Sequence, residues 1–170
     1  MTAGPRRLVI GVGNALRRDD AAGLALVDRL AGLAPPRLAL GRLDGEGVRL
    51  LELWDGFDDV VLVDAALGAG PAGRVVELDG TLPLPAGLCR STHAFGVAEA
   101  LALARVLDRV PRRVTVLAIV GASFGYGAGL SPPVRAAVER LAVRLAGEPV
   151  TRGAGQPAGR AAAPSAGNSA

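Results

Sequence analysis

His93 is the only histidine of the 170-residue chain, and it stands in the run Ser91-Thr92-His93. Two aspartates could converge on it: Asp20, the second acid of Asp19-Asp20, and Asp64, which closes the apolar run Asp59-Val-Val-Leu-Val-Asp64. One imidazole between two carboxylates is a minimal site for a divalent transition metal, and oxygen and nitrogen donors of this kind suit nickel, zinc, manganese or iron. A set of only three leaves coordination positions open to substrate or water. Each residue taken alone has a structural explanation: Asp20 as a helix cap, Asp64 as a polar strand end, His93 as a residue of a helix N-terminus bonded to backbone. Together they say more, because carboxylates at the ends of a first and a third strand fall on the side where open α/β sheets hold their ligands.

The elements that must position these residues follow from hydrophobic period. Leu8 to Val12 is a short continuous apolar run bounded by Gly and Asn, hence a buried strand. Gly13-Asn14 turns the chain, and Asp19-Asp20 precedes Leu24, Val27, Leu30 and Leu33 at helical spacing. A weaker strand is expected from about Arg37 to Leu43. After Asp44-Gly45-Glu46-Gly47, a helix with Val48, Leu50 and Leu51 inward should reach about Trp54. Asp59 to Asp64 is the clearest central strand, and Arg74 to Leu78 alternates as an edge strand of antiparallel sense. Ser91 or Thr92 should cap a helix from about Ala94 to Leu107, with Val97, Leu101, Ala104 and Val106 or Leu107 inward. Val114 to Val120 is a further strand. Ser131-Pro132-Pro133 opens a last helix whose inner residues are Val134, Val138, Leu141 and Leu145. Strands alternating with helices predict an α/β protein with sheet and helices in layers. From Gly147 to Ala170 the composition falls to Gly, Ala, Pro and Ser, so residues 1–146 are read as one domain and 147–170 as a disordered tail.

Composition narrows the function further. Half of the residues are apolar but only five are aromatic, so the core must be Leu, Val and Ala. All nineteen basic residues are Arg, set against sixteen acids for a net charge of +3, and no basic run with interleaved aromatics suggests a nucleic-acid surface. No stretch approaches the ~20 apolar residues that span a bilayer, and the first apolar run is too short for a signal peptide, which makes the cytoplasm the expected compartment. The single Cys89 excludes an internal disulfide and a multi-cysteine zinc site; it reads as a small buried hydrophobe rather than a nucleophile.

Two further motifs compete with the metal reading. Gly11-Val-Gly13 after a first strand invites a dinucleotide site, but Leu16 occupies the position where close approach to a pyrophosphate requires glycine, and Asp19-Asp20 would repel a phosphate. Gly121-Ala-Ser123-Phe-Gly125 matches the nucleophile-elbow pattern of serine hydrolases. No histidine follows Ser123, however, and a glycine-rich stretch rather than a helix comes after it. A serine hydrolase using Ser123 stays open as a minor alternative.

At these residues the chain resembles the hydrogenase maturation endopeptidases, which remove a short C-terminal peptide from the large subunit of [NiFe] hydrogenases. The opening motif is carried by Gly11, Gly13, Asn14, Asp19, Asp20 and Gly23, followed by Val63-Asp64-Ala65, Ser91-Thr92-His93-x-x-Gly96 and Gly129-Leu130-Ser131-Pro132. The resemblance spans about Leu8 to Leu145. It implies a three-layer α/β/α sandwich with a five-stranded, mostly parallel sheet. It also implies that Asp20, Asp64 and His93 are both the metal ligands and the catalytic residues, with Asp19 orienting or capping and Gly11, Gly13 and Asn14 shaping the loop. The partner implied is a [NiFe] hydrogenase large-subunit precursor, with nickel delivered on that substrate, neither nucleic acid nor membrane involved, and a monomeric enzyme. Where many members carry Asp-Gly-Gly-Thr-x-Gly, this chain has Asp44-Gly45-Glu46-Gly47, so a Thr is absent and Glu46 adds a negative charge. The rival from another class is a non-enzymatic chaperone that senses nickel loading without cutting.

Overall fold

The computed structural model describes residues 7–44, 47–68, 70–85 and 96–148. Five strands form one sheet: β1 (Arg7–Val12), β2 (Leu38–Leu43), β3 (Asp59–Ala66), β4 (Val75–Asp79) and β5 (Arg113–Val120), in the spatial order β2-β1-β3-β5-β4. The first four positions in that order are parallel, and β4 runs antiparallel to β5 at the edge. Helices α1 (Ala22–Leu33) and α4 (Pro132–Gly147) cover one face; α2 (Leu50–Leu53) and α3 (Val97–Val106) cover the other. This is the three-layer, mostly parallel sandwich expected from the sequence.

Period-two alternation divides the core. Val9, Val61, Val63, Leu117 and Ile119 pack under α1 and α4, whereas Leu8, Ile10, Val60, Leu62, Val114 and Val116 pack under α2 and α3. Both faces of β1, β3 and β5 are thus apolar, which is why these strands read as continuous rather than alternating runs. The edge strand β4 is only half-buried, and its alternation was visible for that reason.

Several helix expectations shift. Leu33 ends α1 and is exposed, because the chain leaves the helix through Ala34 in the left-handed conformation, beyond the sheet. Residues 47–49 form a 3-10 turn before α2, which changes the phase and turns Val48 outward while Leu50, Leu51 and Trp54 stay buried. Helix α3 runs from Val97 with Gly96 as N-cap, its N–H donating to Glu99 Oε2 at 3.0 Å, and the expected start at Ala94 lies outside the described residues. The expected caps Ser91 and Thr92 lie outside the described residues. Val106 ends this helix at 83% exposure and Leu107 caps it, so neither reaches the core that Val97, Ala100, Leu101 and Ala104 enter. Helix α4 continues through Gly147, one residue past the expected domain boundary, and Glu148 is held by Arg7 Nη1 at 2.8 Å; residues 149–170 lie outside the described residues.

Connections leave β1 and β3 in opposite directions. From β1 the chain crosses by α1 to β2 on one side, and from β3 it proceeds to β4 and β5 on the other. The C-terminal ends of β1 and β3 therefore bound a topological switch point, the crevice where such sheets bind ligands.

Candidate active site

The switch point is built by close backbone approach. The first loop leaves β1 at Gly13, whose N–H donates to the Leu43 carbonyl at 3.0 Å, and returns through a 3-10 turn at Arg18–Ala21 into α1. A Cβ on Gly13 would fall 1.9 Å from the Asp20 carbonyl oxygen, and a Cβ on Gly11 would fall 2.0 Å from that of Gly23. The glycines of this motif thus serve to seat the acid-bearing turn directly against β1. They cradle backbone rather than a phosphate. Asn14 closes the loop with an Asx turn, its Oδ1 accepting the Leu16 N–H at 2.9 Å.

Asp19 and Asp20, both buried, point to different tasks. Asp19 accepts four hydrogen bonds from the segment after β5: from the N–H groups of Ala122 (2.8 Å), Ser123 (3.0 Å) and Ser131 (2.7 Å), and from Ser131 Oγ (2.8 Å). Burial by itself pushes its pKa up, but the bonds from Ser131, Ala122 and Ser123 outweigh that and hold the carboxyl below its ordinary value. Asp19 does not cap α1, which begins without a side-chain cap. It clamps two loops together across the end of the sheet.

Asp64 lies two residues before the end of β3, level with Ala118 of β5, because Ala65 and Ala66 extend the pairing to Ile119 and Val120. It shares a face with Val60 and Leu62, the face that α3 covers. Its Oδ1 accepts the Ala65 N–H at 2.8 Å. Burial, and then the nearby charge of Asp20, push its pKa up to about 8. Two acids from separate elements are therefore brought together in the crevice, as their positions in the sequence suggested. His93 and Cys89 lie outside the described residues, as do Gly45 and Glu46 of the altered loop. Among the described residues no three potential ligands form a metal-binding group.

Ser123 lacks the geometry of a nucleophile elbow. It is not among the residues of positive φ, and the loop that contains it runs to Ser131 before α4 begins. Its N–H and carbonyl are both engaged with Asp19. Sequence reading did not foresee the Asp19–Ser131 connection, which spans 112 positions and leaves no local period.

Comparison with known proteins agrees with this architecture. Residues 44–148 match the hydrogenase maturation protease family. The chain is 29% identical over 140 residues to the hydrogenase 2 maturation protease of Escherichia coli K12, covering 79% of this chain and 84% of that protein. It is 30% identical over 148 residues to the hydrogenase expression/formation protein HupM of Azotobacter chroococcum, covering 84% of this chain and 71% of the relative. Among solved structures, the [NiFe] hydrogenase maturation protease HybD from Thermococcus kodakarensis superposes with a TM-score of 0.68 at 30% identity, over 83% of this chain and 96% of that one. No helix among the described residues is long and apolar enough to cross a membrane.

Proposed function

Because the chain belongs to the hydrogenase maturation protease family, we propose that it is a metal-dependent endopeptidase that removes the C-terminal peptide from the nickel-loaded precursor of a [NiFe] hydrogenase large subunit. The observation that carries this reading is the convergence of Asp20 and Asp64, buried, at the switch point of the sheet. Two like charges so placed favour a divalent cation between them, and two carboxylates with the imidazole of His93 as third donor make a set that accepts nickel. Such a set is a poor permanent cage. It is suited to completing the coordination of nickel that the substrate already holds through its own ligands.

The chain's residues then have distinct tasks. Asp20 and Asp64 receive the nickel of the precursor, and Asp64, protonated at neutral pH in the metal-free protein, releases its proton on docking. Asp19 fixes the turn that carries Asp20 against the loop after β5, so the ligands are held in place before the substrate arrives. Docking through nickel orients the scissile bond beside the site, and an unloaded precursor lacks the contact. When bound, nickel supplies Lewis acidity at the neighbouring carbonyl or at a water molecule.

The test is the intact mass of the cognate large subunit co-expressed with the wild-type protein or with His93→Ala, with and without nickel. Loss of a C-terminal peptide is expected only with wild type and nickel. An unchanged mass in every case would overturn the peptidase reading in favour of a binding role, and normal processing by His93→Ala would overturn the ligand set.

A further inference from the structure

Beside the crevice, the loop after β1 and the loop after β5 join into one shelf. Arg18 N–H donates to the Gly127 carbonyl at 3.0 Å, Gly127 N–H to the Leu16 carbonyl at 2.9 Å, and Asp19 N–H to the Ser123 carbonyl at 3.0 Å. The Asp19 carboxylate pins the same two loops from within. The shelf is therefore fixed, yet its outer side carries large apolar groups in water: Leu16 is 70% exposed and Tyr126 80% exposed. Between them stand Arg17 and Arg18.

Arg17 is oriented in advance. Its Nε donates to the Phe124 carbonyl at 3.2 Å and its guanidinium carbon lies 5.3 Å from the centre of the Tyr126 ring. Its two terminal nitrogens have no partner among the described residues. Arg18 adopts a positive φ of 45°, a conformation that costs a non-glycine residue about 1 kcal/mol and persists only where surrounding contacts impose it. Its guanidinium lies against Gly127, where an added Cβ would fall 3.2 Å from Nε. Several of the described arginines pair with acids, as Arg7 does with Asp59, Arg29 with Glu139 and Arg144 with Glu77. Arg17 and Arg18 pair with no carboxylate among the described residues. Exposed aromatic and aliphatic side chains around a pre-oriented arginine form the composition of an interface centre.

We propose that Leu16, Arg17, Arg18 and Tyr126 form a docking shelf for a carboxylate-bearing, partly apolar segment of the precursor, with the free end of the Arg17 guanidinium donating to the carboxylate in a two-pronged contact. This inference rests on the precursor being the partner, as proposed above. The fork geometry suits a carboxylate, the Tyr126 ring keeps the guanidinium from collapsing, and Leu16 and Tyr126 supply the apolar contact at either side. The two positive charges also offset the repulsion that an acidic segment would meet from Asp20.

The test measures precursor binding and processing kinetics side by side, for wild type, Arg17→Ala, Arg17→Lys and Tyr126→Ala. A charge-assisted contact of this kind predicts a KM and a Kd raised roughly tenfold to a hundredfold in Arg17→Ala with kcat nearly unchanged. Arg17→Lys should recover only part of the loss, and added salt should weaken the wild type more than Arg17→Ala. If wild type processes the precursor and both Arg17→Ala and Tyr126→Ala do so with unaltered KM, the shelf is overturned while the peptidase reading stands. If wild type binds without cutting and Arg17→Ala weakens binding, the shelf stands and the peptidase reading falls. If wild type neither binds nor cuts, both fall. Tyr126→Ala, at an exposed position, decides the matter should Arg17→Ala fail to fold.

Discussion

Asp59 and Asp64 open and nearly close the same strand, five residues apart, and are almost equally buried at 6% and 7% exposure. At the N-terminal edge of the sheet Asp59 receives Arg7 Nε at 2.9 Å, with Arg113 at 4.0 Å; Arg7 also reaches Glu148, beyond α4. At the C-terminal edge Asp64 faces another acid, and its carboxyl is pushed up to about 8. One strand thus carries a compensated carboxylate that ties the ends of the domain together and a second that sits buried beside another acid. The placement of charge, rather than burial itself, separates the edge that holds the fold from the edge proposed to receive nickel.

The largest test of this contrast is a pair of variants. On the proposed nickel-ligand role, Asp64→Asn should lower precursor processing by orders of magnitude while leaving the fold intact. Processing measured by intact mass at single turnover would break the contrast if Asp64→Asn retained wild-type rates. Asp59→Ala should do the reverse. Truncating one member of a buried ion pair leaves Arg7 with Glu148 alone and should cost up to about 3–5 kcal/mol in chemical denaturation, with processing near normal at low temperature where the variant is still folded. A stable, inactive Asp59→Ala would place catalytic work at the wrong edge.

The two edges also differed in how far the sequence revealed them. The strands β1, β3 and β5 were legible because burial on both faces leaves uninterrupted apolar runs, and α4 because Ser131-Pro132 marks its start and its inner residues keep helical period. Asp20 and Asp64 stood out because one follows the first strand and the other ends the apolar run of the third, although β3 continues through Ala65 and Ala66. Helix ends were less legible: the 3-10 turn at residues 47–49 shifts the phase at Val48, and Val106 and Leu107 stand at the end of α3, where the helix no longer faces the sheet. The clamp from Asp19 to Ala122, Ser123 and Ser131 was not legible, since bonds across more than a hundred residues follow no period. Nor was the pairing of Asp59 with Arg7, as opposite charges at two strand starts become neighbours only once the sheet order is known. The resemblance, by contrast, named a histidine whose position the described residues do not include.

Acidity sharpens the comparison at smaller amplitude, because Asp64 and Asp19 should bend the pH dependence of stability in opposite directions. The folded pKa of Asp64, about 8, lies above its ordinary value of 3.8, so the folded protein holds a proton that the unfolded chain releases. Its contribution to stability is full below 3.8 and is lost as pH rises through about 8. For Asp19 the folded pKa lies below 3.8, so its contribution is present above that value and is lost as pH falls through the lower one. The metal-free protein should therefore be most stable near pH 4, losing on the order of 5 kcal/mol by pH 8 on the Asp64 limb and declining again at lower pH on the Asp19 limb. Urea denaturation with chelator across this range measures both limbs, and Asp64→Asn should flatten only the upper one. Nickel supplied with chelator omitted should oppose the alkaline decline, since a bound cation makes the ionised form of Asp64 the favoured one. An upper limb unchanged in Asp64→Asn would move the buried proton to another group and remove the electrostatic distinction between the two ends of β3.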